Sequence, residues 1–84
     1  MDLKVKSPVF IDRLTFELNQ PKKCKIKAVL KDDQGSVCSA LETELNNGQQ
    51  FLDWNGLSDL PYGVYTLEIL GGPNEMKVKL IKRI

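Results

Sequence analysis

Few residues of this 84-residue chain are equipped for chemistry, and their spacing argues against it. Histidine is absent, which removes the commonest general base and the commonest metal ligand. Two cysteines, Cys24 and Cys38, are too few for a zinc site built from thiolates alone. If the chain reverses near Asp33-Gln34, position 31 falls opposite 38 and position 24 opposite 45. The thiols then lie about seven residues out of register, roughly 23 Å at ~3.3 Å per residue, and on opposite faces. A disulfide needs Cα atoms within ~7 Å, so Cys24 reads as a small core hydrophobe instead. Asp32-Asp33, just before Gly35, reads as a turn, because a calcium loop needs more oxygen ligands at fixed spacing. Asp53 and Asp59 flank Trp54 and Asn55-Gly56 as a conceivable acid/base pair, but nothing nearby supplies a nucleophile or an oxyanion site. The chain is therefore expected to hold no catalytic residue, cofactor or metal.

Lysine is the remaining chemical signal. Lys4, Lys6, Lys25, Lys27, Lys31, Lys77 and Lys79 fall on the outward parity of three segments. Were those segments neighbours, one face would be basic and could dock an acidic partner or an anionic surface glycan. Otherwise they form a solvated face whose lysines guard sheet edges from aggregation.

These residues must be positioned by strands. The apolar pattern has period two nearly throughout: Leu3 and Val5; Leu14, Phe16 and Leu18; Cys24, Ile26, Ala28 and Leu30; Val37, Leu41 and Leu45; Leu52 and Trp54; Tyr65, Leu67 and Ile69; Met76, Val78 and Leu80. Val29 alone breaks the polar parity of its segment. That makes about seven half-buried strands. Turn residues separate them: Ser7-Pro8, Asn19-Gln20-Pro21, Asp32 to Gly35, Asn46-Asn47-Gly48, Asn55-Gly56, Leu60 to Gly63 and Gly71-Gly72-Pro73-Asn74. Asn47-Gly48 reads as a two-residue hairpin and Gly71 to Asn74 as the last one. Ser39 to Leu45 contains helix formers, with Leu41 and Leu45 four apart, but so short a helix is marginal and the stretch reads as strand. Turn signals every ~8–12 residues between alternating strands predict an all-β sandwich. Its expected core is Leu14, Phe16, Leu18, Ile26, Ala28, Leu30, Val37, Leu41, Leu52, Trp54, Tyr65, Leu67, Ile69, Met76, Val78 and Leu80. Tyr62, in a turn between Pro61 and Gly63, is the expected exposed aromatic.

Composition bounds the rest. Hydrophobic residues are 42% and charged residues 27%, an ordinary globular balance in one domain, 1–84. Twelve Lys and Arg against eleven Asp and Glu leave a net charge of +1, without the basic excess of a nucleic-acid binder. No apolar run approaches the ~18 residues of a membrane span. Met1 to Pro8 lacks the apolar stretch of a secretory signal.

The second half carries a more specific pattern. Asn47-Gly48, Leu52-Asp53-Trp54-Asn55-Gly56, Leu60-Pro61-Tyr62-Gly63-Val64-Tyr65 and the closing Lys77-Val78-Lys79-Leu80-Ile81-Lys82-Arg83 resemble the C-terminal sorting domain of proteins exported by the type IX secretion system of Bacteroidetes. The resemblance extends to Pro8, the Leu14 to Leu18 strand and the Ile26 to Leu30 strand before Gly35. The Gly-x-Tyr element is also similar to that of related immunoglobulin-like modules, including the one in the flagellar hook-capping protein. The resemblance implies a seven-stranded, immunoglobulin-like antiparallel β-sandwich at the end of a longer secreted precursor, with Met1 an artificial start or excision point. It implies a non-catalytic address read by the outer-membrane secretion machinery after passage through the periplasm. A sortase-like peptidase would then remove the domain and attach the cargo to the cell surface. The residues it points to are Gly63, Tyr65, Lys77, Lys79, Leu80, Ile81, Lys82 and Arg83, the last strand being expected at a sheet edge where a partner strand could add. A structural spacer of a surface or appendage protein and a carbohydrate-binding accessory module are the alternatives, the latter with only Tyr62 as a platform.

Overall fold

A computed structural model describes residues 2–5, 7–20, 22–70 and 75–83. Pro21, Lys6, Ile84 and the Gly71 to Asn74 turn anticipated above lie outside these. The chain is all-β: β1 (Asp2–Val5), β2 (Val9–Phe10), β3 (Leu14–Gln20), β4 (Cys24–Lys31), β5 (Val37–Leu45), β6 (Gly48–Trp54), β7 (Gly63–Leu70) and β8 (Met76–Lys82). Two sheets form, one of three strands in the order β1-β3-β6 and one of five in the order β2-β8-β7-β4-β5. Their inner faces share a single core drawn from both sheets, among it Phe16, Leu18, Trp54, Leu30, Leu67 and Leu80.

Eight strands stand where seven were expected, and one pairing is parallel. The additional strand, β2, is too short for a two-residue period to show. Pro8 has no N–H to give a ladder, but its carbonyl accepts from Ile81 N at 2.7 Å, and Phe10 O accepts from Arg83 N at 2.9 Å. The chain thus leaves β3, which β1 pairs antiparallel, and joins β8 in the other sheet in parallel.

The β4–β5 turn is built by Asp32. Its carboxylate accepts from the backbone N–H groups of Gln34 and Ser36 at 2.9 Å each, and Gly35 takes φ +86°, the left-handed conformation that glycine adopts without a steric cost. Cys24 faces Leu45, as the sequence implies, but Lys31 faces Val37 rather than Cys38. A β-bulge between Leu30 and Lys31 accounts for the difference, with Cys38 as the unpaired residue. One extra residue reverses parity, so Val37, expected in the core, is 60% exposed.

Asn47-Gly48 does not close a hairpin. β5 lies in the five-stranded sheet and β6 pairs with β3 in the other, so the connection crosses between sheets. Of its residues only Gly48 has positive φ, whereas the hairpin turn would need two. Side chains hold the crossing: Gln20 Nε2 donates to Asn46 O at 3.3 Å and Asn46 N to Gln50 Oε1 at 3.0 Å.

The core contains most of the residues anticipated, with Leu41, Leu52, Met76 and Val78 half-buried at its rim. It also contains Phe10 and Leu57, which parity did not select, and Leu45, which shares the parity of Leu41 but was not among the expected core. Leu57 belongs to a loop and is 1% exposed; its N–H donates to Asp12 O and its carbonyl accepts from Leu60 N, each at 3.2 Å. Val29 is buried too, on the outer face of β4, between Ala40 of β5 and Glu68 of β7.

Candidate recognition surface at the Gly63–Tyr65 corner

The loop after β6 re-enters the five-stranded sheet through Leu60-Pro61-Tyr62-Gly63. Pro61 followed two residues later by Gly63 suits a type I turn in sequence. Among the described residues no backbone i to i+3 bond closes it. The closure comes from Tyr65, whose hydroxyl donates to Pro61 O at 2.6 Å. The Tyr65 ring is 3% exposed and meets Phe10 edge-on, centroids 6.0 Å apart at 64°, a favourable aromatic geometry. Burial, followed by the nearby Cys38, Asp32 and Asp33, pushes the Tyr65 phenol above its ordinary pKa. Gly63 has φ +151° with no atom within 4 Å of where a Cβ would stand. The backbone conformation, not lack of room, therefore calls for glycine there.

The antiparallel β7–β8 register brings the two halves of the sequence pattern together. Gly63 faces Lys82, Tyr65 faces Leu80, Val64 faces Ile81, Thr66 faces Lys79 and Glu68 faces Lys77. The residues then divide by face. Tyr65, Leu80 and Lys82 point inward and are buried; Lys77, Lys79, Ile81 and Arg83 are exposed. Lys82 keeps its ammonium satisfied by donating to Arg83 O at 2.9 Å. A partner touching the folded domain would therefore meet the second group only.

Sequence reasoning missed part of this surface. Val64 (48% exposed) and Ile81 (42%) form an outward apolar pair, flanked by Tyr62 at 72%. With Gly63, Lys82 and Arg83 they line a shallow concavity of about 440 Å³. The signal was an apolar residue on the polar parity of two adjacent strands, but their adjacency is not written in either strand.

The expected edge position of β8 needs correction. Ile81 and Lys82 lie between β7 and β2, and among the described residues only the earlier part of β8 has an unpaired side. The basic face needs correction too. β4, β7 and β8 are neighbours, so Lys27, Lys31, Lys77 and Lys79 share one face, but Glu68 sits among them. It bonds Lys31 at 2.8 Å and approaches Lys77 at 3.9 Å. Those lysines, led by the Lys31 hydrogen bond, hold the Glu68 carboxyl below the usual range. Farther along, β5 sets Glu42 and Glu44 opposite Lys27 and Lys25, and Lys23 bonds Glu44 at 2.8 Å. Lys4 belongs to the other sheet. The face is a mixed lattice of charge, a poor match for a polyanion.

Of the acidic residues considered for chemistry, Asp53 accepts from the Thr15 hydroxyl across the β3–β6 pair, and Asp59 lies in a surface turn. Both cysteines are free thiols, Cys24 half-buried with its Sγ 3.0 Å from Gln20 Oε1, and Cys38 exposed. No helix of the described residues is long and apolar enough to cross a membrane. Compared with models of known families and with curated proteins, the chain matches none.

Proposed function

We propose that this domain is a non-catalytic recognition module of the immunoglobulin-like class, acting as a sorting signal read by the type IX secretion machinery. The observation that carries this reading is the register of β7 and β8. It makes one surface unit of the Gly-x-Tyr corner and the lysine-rich last strand, the two segments that resemble the sorting family. An immunoglobulin-like assignment draws support from two features. One is the Tyr65 bond back to Pro61, which matches the tyrosine corner of such sandwiches. The other is the split first strand: if β1 and β2 are two parts of one strand that changes sheets at Pro8, the count returns to seven.

In this reading the outer-membrane machinery contacts Tyr62, Val64, Ile81 and Arg83, with Lys77 and Lys79 alongside, while Gly63, Tyr65, Leu80 and Lys82 shape the surface from within. A sortase-like peptidase acts afterwards, and the cargo reaches the cell surface or medium through the periplasm. A structural spacer is the second reading, favoured by the burial of Tyr65, Leu80 and Lys82: three of the eight residues of the sequence pattern are buried and serve the fold. An anionic glycan partner is disfavoured by the compensated charge of the lysine face.

The test is export of a reporter fused to residues 1–84 in a Bacteroidetes host with and without the translocon. Removing β8 would unfold the domain, because Leu80 is fully buried. The discriminating variants are therefore the exposed ones, Ile81→Ser and Arg83→Glu. Translocon-dependent delivery that these variants abolish at unchanged melting temperature is the expected result. A folded fusion held in the periplasm of both hosts would leave the spacer reading.

A further inference from the structure

The outward apolar pair at the corner extends onto a third strand. β2 runs parallel to β8, with Val9 beside Ile81 and Phe10 beside Lys82. Phe10 and Lys82 are buried, so alternation sets Val9 on the outer face with Ile81. Val64, Ile81 and Val9 therefore form one apolar row across β7, β8 and β2. The exposed Tyr62 leads into Val64, and the exposed Ile11 follows β2. Contiguous apolar surface on a small domain marks an interaction site.

Charge says what fits there. Lys79 and Arg83 stand two residues either side of Ile81, on the same face. Arg83 keeps that parity because its N–H, like that of Ile81, bonds the β2 segment. Both are exposed, and among the described residues neither forms an ion pair. The compensation that cancels the rest of the face ends at Glu68, which reaches Lys31 and Lys77, whereas Lys79 faces Thr66. Lys82 adds a cation to the wall of the concavity; it is buried, and its ammonium bonds a neutral carbonyl rather than a carboxylate. The acids of neighbouring segments lie off this strip. Asp12 follows Ile11 past the end of β2, and Asp32 and Asp33 belong to the β4–β5 turn, across β7 from β8. Asp32 also spends its carboxylate on the N–H groups of Gln34 and Ser36.

We propose that this strip docks an extended segment of a partner protein in which an apolar side chain is flanked, two residues away on each side, by carboxylates. Alternation puts those three side chains on one face of an extended chain, with the acids roughly 13 Å apart at ~3.3 Å per residue, the spacing of Lys79 from Arg83. The apolar side chain enters the concavity beside Val64 and Ile81, and the acids meet the two cations. The apolar surface is hollow rather than protruding, which suits an inserted side chain and not a bilayer surface. Two copies apposed along β8 would set cation against cation, a costly juxtaposition. This inference rests on the recognition reading in taking the corner as the contacted surface, and adds the chemistry of what touches it.

Amide chemical shifts of the intact, isotope-labelled chain test it, with the end-blocked peptide Gly-Glu-Thr-Leu-Thr-Glu-Gly as probe. Saturable shifts centred on Val9, Val64, Ile81 and Arg83 are expected. Replacing both glutamates of the probe by glutamine weakens binding roughly two- to tenfold, the scale of two exposed ion pairs. The doubly substituted chain Lys79→Glu, Arg83→Glu, its folding checked by thermal melting, prefers a probe with lysine in place of both glutamates. Phe51→Ser, on the other sheet, changes nothing. Amides that stay unmoved at millimolar probe overturn the proposal, as does a glutamine probe that binds equally well. Shifts caused by dilution of the chain alone would show that a second copy covers the strip, and capture by phosphatidylglycerol vesicles without response to the probe would show a bilayer; either overturns it. The export assay separates the two readings. A probe that fails to bind while Ile81→Ser still blocks export removes this inference alone, and a probe that binds a chain not exported through the translocon upholds it and removes the sorting role.

Discussion

Tyr65 combines a buried ring with one hydrogen bond that the backbone of its own loop accepts. Tyr65→Phe removes the donor and leaves the ring, so a loss of about 1 kcal/mol in denaturant unfolding is expected, the net value of such a bond. Gly63→Ala meets no neighbouring atom yet forces a side chain into φ +151°; a loss of roughly 1–3 kcal/mol is expected, from backbone strain alone. A loss of a few tenths would mean that the corner relaxes. Glu68 adds a pH dependence whose sign follows from its lysine partners. Its pKa is lowered from the ordinary 4.5, so its contribution is complete above that value. It is lost as pH falls through the lower folded value. Acid unfolding curves of the Glu68→Gln variant should therefore lack part of the decline that the parent shows below pH 4.5. At the other end of the scale the Tyr65 phenol ionises above its ordinary value of 10.0. Its contribution is complete below that value and is lost as pH rises through the folded one, which ultraviolet difference spectra would follow.

Elements decide what these residues face. The alternation of Leu14, Phe16 and Leu18 in β3 is legible because the strand is regular and one of its faces is the core. β5 shows how a single residue defeats the same reasoning: the bulge at Cys38 turns Val37 outward while Leu45, eight positions on, is fully buried. Val37→Ser should change stability by no more than about 0.5 kcal/mol, as an exposed site does. Leu45→Ala should cost ~2–5 kcal/mol, as a filled core site does. The register that separates the cysteines also separates their reactivity. Thiol titration of the native chain should show Cys38 reacting fast and Cys24 slowly, since Cys38 is exposed and Cys24 half-buried. Equal rates would count against this register.

Over the whole molecule, one core joins a three-stranded and a five-stranded sheet, and loop residues complete it. Leu57 shows why loops matter in so small a sandwich, where every filled position is a large share of a modest core. The all-β class, the turn at Asp32 to Gly35, the absence of a basic excess, and the corner at Gly63 and Tyr65 were legible along the chain. Each depends on local chemistry: two-residue periodicity, turn-forming side chains, a proline, a glycine, a sum of charges. What remained hidden needed a neighbour distant in sequence. Asn47-Gly48 carries hairpin chemistry, yet the chain crosses between sheets there, because β3 and not β5 offers β6 its partner. The lysines of β4 and β8 follow a plain outward parity, and only the packing of β7 between them inserts Glu68 and cancels a basic face. Lys82 reads as a surface cation and is buried beside the sheet end that β2 covers. Val64 and Ile81 become one apolar surface only through the β7–β8 register. Strand type follows from what each residue does to its own backbone and to the side chains two positions away. Sheet order, bulges and the sharing of a face follow from which strands find one another across the molecule, and that was decided only in three dimensions.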